Sequence, residues 1–384
     1  MLFSDIIGLP HLKNHLTTTA NRNRIPHAQL FVGKSGSGTL PMAIAYARYI
    51  LCKNLNAEDE RGNASCNLKF ASLSHPDLHF AFPVATNDKI KSHPVSSNFL
   101  VEWRKFVLSN PYGDLLDWYQ EIGIEKKQGQ IGVDEAQDIV KSLSLKSYEG
   151  GFKVMLIWMA EKLNTAAANK LLKLIEEPPT KTLFILITED EEQIIQTIRS
   201  RCQTLHFPPL AEADIAEGLV KDENCDRNEA LQLAHQANGS YTNALHLLQK
   251  SSGDEQFEQW FIQWVRTAFK AKGNKATVLE LISWSEEVAG MGREMQKSFL
   301  QYCMDFFRQA LMMNYKADNL VYLSPNTSGF KLEKFAPFIH GGNIMQITGA
   351  LEEAIYHIER NGNAKIIFTD LSIKLTRFLH KKAA

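Results

Sequence analysis

The chain has 384 residues, which predicts two or three domains rather than one. Hydrophobic residues make up 44% of it, so the composition excludes global disorder and allows substantial cores. The net charge of −1 excludes the overall basic field of many stand-alone nucleic-acid binders. Five cysteines are too few for a disulfide framework, and the N-terminus lacks a secretory pattern, so we expect a soluble cytoplasmic protein in a reducing compartment.

The first elements predicted along the chain surround a glycine-rich turn. They are a short helix at 9–16, a strand ending at 30–32 and a helix at 42–51. Residues 53–78 show little regular pattern. Residues 84–130 alternate polar loops with short amphipathic pieces, and we interpret them as an insertion in a larger domain.

From residue 131 onward the pattern alternates between helices and apolar strands. The predicted helices are 131–147, with an apolar stripe of Val133, Ile139, Val140 and Leu143, then 164–177, capped by Asn164 or Thr165, and 191–202. The predicted strands are 154–160, 182–188 and 203–210. This alternation predicts an α/β fold class, with a parallel sheet between two layers of helices.

After residue 209 the predicted elements are almost all helices. Three short ones fall at 212–220, 228–237 and 240–250, a linker is predicted at 251–255, and helices continue to residue 384. We therefore predict an α/β domain at 1–208 with its insertion at about 84–130, a small helical domain at 209–252 and a helical C-terminal domain at 253–384.

The glycine-rich turn resembles a P-loop in shape but not in charge. Gly33, Gly36 and Gly38 would let backbone amides turn toward a phosphate at the start of a helix. The lysine and the Ser or Thr expected next are replaced by Thr39 and Leu40. We interpret the turn as a degenerate nucleotide loop, and whether it still binds an anion stays open.

The strand at 154–160 supplies a second test of nucleotide chemistry. An NTPase places an Asp, often followed by a Glu, at the end of such a strand to hold Mg²⁺ and to activate water. Trp158 and Met159 stand there instead, and neither side chain coordinates a hard cation. Two interpretations of Trp158 stay open: plain core packing, or an indole that fills the vacated nucleotide pocket.

Six motifs occur in order along residues 1–250: RIPHAQLFVGKSGSG, SHPDLHF, NTAAANKLLKLIEEPP, LFILIT, IRSRC and NGSYTNAL. In this order the chain resembles the delta-prime family of bacterial clamp-loader subunits, which belong to the AAA+ superfamily. The resemblance is weak beyond residue 250 and does not include the insertion at 84–130. It implies an AAA+ α/β/α domain, a helical lid and an all-α C-terminal collar that closes a ring.

The resemblance also implies a function in DNA replication. Such a chain would be a non-catalytic clamp-loader subunit of the DNA polymerase III holoenzyme, in a hetero-oligomer with gamma or tau ATPase subunits and the delta subunit. The ring would load the sliding clamp, which the chain contacts indirectly, onto primer-template DNA. The chain would need no cofactor, because ATP and Mg²⁺ would be bound by neighbouring subunits.

Arg201 in the SRC motif is the candidate functional residue that this resemblance adds. In the family this arginine acts in trans on the ATP of a neighbour, and such fingers contribute roughly 10³–10⁵ in rate. Arg199 is the alternative candidate. The simpler interpretation of each arginine is that it lies at a helix end, where it is solvated or forms a salt bridge. Thr188 matches the polar sensor position, and Thr242 replaces an arginine that the family's lid usually offers.

The cysteines raise the question of zinc, which related proteins often bind through four thiolates before the HPD motif. Only Cys52 and Cys66 lie in that region, and Lys69 and Ser72 stand where further thiols could be. Two thiolates do not complete a tetrahedral site, so we expect no zinc. Whether Cys52 and Cys66 share a metal, with a nearby histidine, stays open.

Two other functions stay under consideration. The chain could be an active AAA+ ATPase of the gamma/tau type, in which case the isolated chain binds and hydrolyses ATP. It could instead be a nucleic-acid-binding module acting alone, which predicts tight, salt-sensitive binding to DNA. The near-neutral charge argues against the second of these alternatives.

Overall fold

The chain forms two compact units, each with its own apolar core. The computed structural model describes residues 1–52, 64–149, 151–249, 252–272, 274–317, 321 and 329–382. The first unit comprises residues 1–124 and 128–248, and the second comprises residues 125–127 and 249–384. The division into three domains with the boundaries given above stays a prediction.

The first unit is built on a parallel sheet whose strands, among the described residues, follow the order β2-β3-β4-β1-β5. They are β1 (Ala28–Val32), β2 (Leu78–Ala81), β3 (Lys153–Ile157), β4 (Thr182–Thr188) and β5 (Gln203–His206). Strands β3 and β4 are buried along their whole length, as expected for strands covered by helices on both faces. The predicted α/β fold class, a parallel sheet covered by helices and followed by further helices, is confirmed.

Helices connect these strands and extend beyond them. They are α1 (Pro10–Asn21), α2 (Thr39–Cys52), α3 (Ala64–Ala71), α4 (Leu100–Ser109), α5 (Leu115–Glu121), α6 (Val133–Ser144), α7 (Thr165–Glu176), α8 (Gln196–Arg199), α9 (Glu212–Asp222), α10 (Arg227–Gln236) and α11 (Tyr241–Gln249). Short 3-10 helices occupy Phe3–Asp5, Ser96–Phe99, Ala160–Lys162 and Glu191–Gln193. Asn164 caps α7, because its side chain accepts a hydrogen bond from the amide of Ala167 at 2.8 Å.

Several local predictions are wrong in detail. Helix α3 lies in the stretch interpreted as irregular, 53–78, and strand β2 begins at the last residue of that stretch; residues 53–63 lie outside the described part. The helix predicted at 191–202 is instead a 3-10 turn and α8, because Ile194 and Ile195 between them have extended backbone. Val140 is exposed although it was assigned to the apolar stripe of α6, whereas Ala136 is buried.

The larger part of the predicted insertion packs into the core of the first unit. The indole rings of Trp103 and Trp118 are fully buried, and the ring of Trp103 stacks on that of Phe82 at 4.2 Å. The indole nitrogen of Trp118 donates a hydrogen bond to the carbonyl of Pro83 at 2.8 Å. Residues 84–124 are therefore part of the sheet domain and not a loose appendage.

A buried carboxyl group also anchors this segment. Glu135 on α6 is 4% exposed and accepts a hydrogen bond from the amide of Ser96 at 2.5 Å. Burial is the main cause that raises the pKa of Glu135 from the ordinary value of 4.5 to about 7, and the hydrogen bond from Ser96 opposes it.

The second unit is helical throughout its described residues. Its helices are α12 (Ser252–Lys270), α13 (Lys275–Ala289), α14 (Arg293–Asn314), α15 (Leu332–Phe335), α16 (Ile344–Glu359) and α17 (Ala364–Leu379), with a 3-10 turn at Ala336–Phe338. The linker predicted at 251–255 is wrong where it can be described, because α12 begins at Ser252; residues 250 and 251 lie outside the described part. None of the helices described along the chain is long and apolar enough to cross a bilayer.

Aromatic side chains fill the core of the second unit. The rings of Trp264 and Trp284 stack in parallel at 5.1 Å. The indole nitrogen of Trp264 donates a hydrogen bond to the hydroxyl of Ser372 at 2.8 Å, so α12 and α17 are joined by a polar contact inside an apolar core.

Replacing Glu135 with Gln tests the buried carboxyl group. In wild type this group keeps its proton in the folded state up to about pH 7 and loses it near pH 4.5 when unfolded. The free energy of unfolding therefore falls as pH rises through this window, by on the order of 2–3 kcal/mol, and Glu135→Gln removes that loss. In urea unfolding we measure the free energy of unfolding of the variant minus that of wild type. This difference should be more positive at about pH 8 than at about pH 5.

Asp134→Asn is the matched control, because this neighbouring carboxylate on α6 is half exposed. It is expected to change the pH dependence of unfolding little. A stability difference between Glu135→Gln and wild type that is the same at both pH values would contradict the assignment.

Candidate functional site

The glycine loop lies where the carboxyl ends of β1 and β4 meet. Val32 pairs with Thr188 in the sheet register, and the amide of Gly33 donates a hydrogen bond to the carbonyl of Thr188 at 3.1 Å. Gly36 and Gly38 have φ angles of 78° and 88°, in the left-handed region that favours glycine. The structure therefore brings the predicted glycines and Thr188 together at one edge of the sheet.

A cavity of about 20 Å³ lies over this loop. That volume is enough for about one water molecule. Its walls come from four places: the loop with the start of α2, the end of β3, the end of β4, and the turn between α4 and α5. Little space remains at the position where a P-loop would bind a nucleotide.

The charge of the cavity lining is opposite to that of a phosphate site. Thr39 and Leu40 line it at the positions of the missing lysine and hydroxyl. Among the described residues that line it there is no lysine or arginine, and Glu189, an acidic residue, is one of them. Glu189 was not predicted as a site residue, although its position directly after the buried strand β4 could have indicated that it lines the cleft.

Trp158 and Met159 come directly after β3, at the end of the strand where a metal-binding pair would stand. Trp158 is 2% exposed, and its ring lies 5.2 Å from that of Trp103 and 5.9 Å from that of Phe106. Both Trp158 and Met159 also line the cavity. Trp158 therefore belongs to the aromatic core and forms part of the wall of the cleft.

The N-terminal end of α11 lies directly against the glycine loop. The amide of Tyr241 donates a hydrogen bond to the carbonyl of Gly36 at 3.0 Å, and the hydroxyl of Ser240 donates to the carbonyl of Ser35 at 3.0 Å. These bonds use two carbonyl groups of the loop, so the helical part at 212–248 is in contact with the loop.

The two sensor-like threonines make local hydrogen bonds. The hydroxyl of Thr188 donates to the carbonyl of Asp190 at 3.0 Å and accepts from the amide of Asp190 at 3.2 Å. Thr242 is 1% exposed, and its hydroxyl donates to the carbonyl of Tyr112 in the turn between α4 and α5. Neither hydroxyl is directed to open solvent.

Arg201 lies beyond the end of α8 and is partly exposed. Its side chain is 37% exposed, forms an ion pair with Glu176 at 2.7 Å and donates a hydrogen bond to the carbonyl of Thr197 at 2.7 Å. Arg199 forms a separate ion pair with Glu192 at 2.5 Å. The two terminal nitrogens of the Arg201 guanidinium, Nη1 and Nη2, are thus held by α8 and α7, while part of the side chain remains exposed.

One disulfide departs from the expectation of a chain in a reducing compartment, in which cysteines stay unpaired. Cys52 and Cys66 form a disulfide, whereas Cys202, Cys225 and Cys303 are free. A disulfide became possible because α2 and α3 bring the two residues together, with a Cα–Cα distance of 5.3 Å.

The residues around this disulfide do not fit the four-thiolate zinc site of related proteins. His75 and Glu149 lie close to Cys66, with 3.4 Å between the histidine Nε2 and the carboxylate, but both thiols of the pair are used in the disulfide. Burial lowers the pKa of His75. Lys69, which pairs with Glu149, stands where another thiol could be. That the chain needs no zinc stays a prediction.

Comparison with known proteins gives a consistent set of matches. A family model described as "DNA polymerase III, delta subunit" matches residues 8–211, more than half of the chain. DNA polymerase III subunit delta' of Bacillus subtilis (strain 168) is 28% identical over 64% of this chain and 60% of the relative. The subunit of that name in Escherichia coli (strain K12) is 27% identical, over 61% of this chain and 58% of the relative.

The similarity extends to relatives named as tau subunits. DNA polymerase III subunit tau of Escherichia coli (strain K12) is 29% identical over 66% of this chain and 34% of the relative. The chain spans about three fifths of the length of the two delta' relatives and about one third of the length of the tau relative.

Thiol titration tests the cysteine assignment. Because Cys52 and Cys66 are paired, we expect three reactive thiols in the denatured, unreduced chain and five after reduction. Reduction should also lower the free energy of unfolding by about 2–4 kcal/mol, since the disulfide closes a loop. Cys303→Ser is the control and should remove one thiol in both states. Five thiols before reduction, or zinc released when thiols are modified, would contradict the pairing.

Proposed function

The chain belongs to the DNA polymerase III delta subunit family, and from this premise we propose that it is a clamp-loader subunit that does not hydrolyse ATP. The observation that carries the proposal is the cleft over the glycine loop. A cavity of about 20 Å³ with Glu189 in its wall offers a triphosphate neither space nor positive charge. Hydrolysis would further need a metal-binding strand end, where this chain has Trp158 and Met159.

The partners are inferred from the family and are part of the proposal. The chain would assemble with gamma or tau ATPase subunits and a delta subunit, and the ring would load a sliding clamp onto primed DNA. ATP and Mg²⁺ would be bound by those neighbours, so the chain itself would need no cofactor. DNA would be contacted through the assembled ring, mainly by phosphate interactions.

Arg201 is the residue proposed to serve a neighbouring ATPase site. Its guanidinium carries a permanent charge and presents a planar pair of donors to phosphate oxygens. The ion pair with Glu176 and the bond to Thr197 restrict its conformations while leaving 37% of the side chain exposed. A donor that is already oriented loses less conformational entropy when it meets phosphate. Both features support action in trans.

An active ATPase of the gamma/tau type is the second candidate function. The match to a tau subunit at 29% identity favours it, since tau-type and delta'-type relatives cover similar parts of this chain. The cleft argues against it, because the loop has no lysine at position 39 and Tyr112 lines the cleft beside the loop.

Titration of the isolated chain with Mg²⁺-ATP separates the two functions. We expect no calorimetric binding signal at millimolar nucleotide and no phosphate release, since the cleft lacks the cation that stabilises a triphosphate. A gamma or tau subunit measured in the same buffer is the positive control. Micromolar binding with steady turnover by the chain alone would favour the active-ATPase alternative.

Substitution of Arg201 tests the trans role. In a complex reconstituted with ATPase and delta subunits, Arg201→Ala should slow hydrolysis at the site that it serves by roughly 10³-fold, because the developing phosphate charge loses a donor. Arg201→Lys keeps the charge and loses the planar fork, so we expect an intermediate rate. The measurement is steady-state phosphate release at equal complex assembly.

Arg199→Ala is the matched control for this experiment, because Arg199 is two residues away and has its own partner in Glu192. Its complex should hydrolyse ATP at the wild-type rate. Equal rates for wild type and Arg201→Ala would remove Arg201 from the proposed role, and a loss in Arg199→Ala alone would transfer that role to Arg199.

A further inference from the structure

The turn between α4 and α5 lies in the cleft over the glycine loop. We define the Tyr112 turn as residues 110–114. Pro111, Tyr112 and Gly113 line the cavity, and Tyr112 is only 7% exposed. A Cβ atom added to Gly38 would lie 3.4 Å from the edge of the Tyr112 ring, so Tyr112 lies close beside the loop. Part of the inserted segment therefore occupies space beside the degenerate loop.

Tyr112 contacts both the N-terminal segment and α11. Its hydroxyl accepts a hydrogen bond from the amide of Ile7 at 2.9 Å, and its carbonyl accepts one from the hydroxyl of Thr242. Its ring lies 4.9 Å from that of Tyr241 in an edge-to-face arrangement. A single residue thus joins three parts of the chain that are distant in sequence.

The start of α11 fits tightly against the loop at the same place. A Cβ atom on Gly36 would lie 2.1 Å from the hydroxyl oxygen of Ser240 and 2.9 Å from that of Thr242. No side chain larger than that of glycine fits there unless the two parts move apart. The helical part that contains α9, α10 and α11 is therefore in direct contact with the loop.

The Tyr112 turn is anchored on both sides. Before it, Phe106 on α4 packs beside Trp118, with 5.5 Å between their rings. After it, Asp114 caps α5 by accepting a hydrogen bond from the amide of Asp117 at 2.9 Å. Asp117 in turn lies 3.4 Å from His246 on α11. Because both flanking helices are fixed, little conformational entropy is lost when the turn contacts the loop.

We propose that the Tyr112 turn acts as an intramolecular ligand of the glycine loop and fixes α9–α11 against it in the absence of nucleotide. A free ligand shifts a conformational equilibrium only through its differential affinity and its concentration. A covalently attached ligand has a high effective concentration at all times, so the position of α9–α11 does not depend on ATP. The inference rests on the proposed function in one respect, namely that this cleft does not cycle nucleotide.

Hydrogen–deuterium exchange of the full chain tests this role. In wild type, the amides of residues 240–248 should be protected equally with and without Mg²⁺-ATP, because the bond from Tyr241 to Gly36 does not need nucleotide. Tyr112→Ala removes the ring and the bond to Ile7. Thr242→Val keeps the side-chain shape and removes the bond to the carbonyl of Tyr112. Both should speed exchange at 240–248 by about fivefold to tenfold.

Tyr119→Phe is the matched control. It also removes a buried phenolic hydroxyl from the inserted segment, where that hydroxyl donates to the carbonyl of Gly129 at 3.2 Å. It should leave exchange at residues 240–248 unchanged. Circular dichroism identifies folded variants, and Thr242→Val keeps the test decisive if Tyr112→Ala does not fold.

The outcomes separate this inference from the proposed function. Unchanged exchange at 240–248 in folded Thr242→Val and Tyr112→Ala would overturn the inference and would leave the role of Arg201 as it was. Turnover of ATP by the isolated chain would overturn the proposed function. Faster exchange in both variants with an unchanged rate for Arg201→Ala would support the inference while removing the trans role.

Discussion

Parallel pairing of β4 with β1 and with β3 places those cleft residues that follow the three strands at one edge of the sheet. Because Val32 lies opposite Thr188, the glycine loop after β1 and Glu189 after β4 leave the sheet side by side. Strand β3, paired with β4 on its other edge, places Trp158 at the same end. The carboxyl ends of parallel strands share one edge, so a loop with the shape of a P-loop necessarily meets the residues just beyond β3 and β4. Which ligand the cleft can bind then depends on the side chains that follow these three strands.

The same edge also explains why the inserted segment could become part of the core. A metal-binding strand end needs water and open space, whereas Trp158 is an apolar surface that must be covered. Trp103 and Phe106 cover it, and their helix leads directly to the Tyr112 turn. The apolar residue at this strand end and the burial of the segment are thus two sides of one packing arrangement.

Local periodicity and motif order were sufficient to predict the buried strands and the glycine loop. The buried strands, the position of the glycine loop and the residues missing from it are all encoded in patterns within about 10 neighbouring residues. The break at Ile194 and Ile195 was missed because their spacing also fits a helix, and sheet packing decided the outcome. Strand β2, with four residues, was too short to stand out from an irregular stretch.

Long-range contacts were not predictable in this way. The Cys52–Cys66 disulfide, the ion pair between Arg201 and Glu176, and the bond from Thr242 to Tyr112 each join residues whose proximity depends on the complete fold. The last of these spans 130 positions along the chain. No periodicity encodes such a pair, so the sequence could suggest that Thr242 had lost a nucleotide contact but not which contact replaced it.

The fit around Tyr112 would make a phosphate-binding charge hard to introduce into this cleft by single substitutions. Thr39→Lys alone would restore the missing cation to a position that is 9% exposed, inside a cavity of about 20 Å³. The new ammonium group would be desolvated before any phosphate could reach it, at a cost of several kcal/mol. A cleft that binds phosphate would need a larger cavity and a cationic residue in the loop at the same time. Neither change provides a phosphate site by itself. Such coupling between two sites is epistasis, and it would oppose the appearance of a cation in this loop.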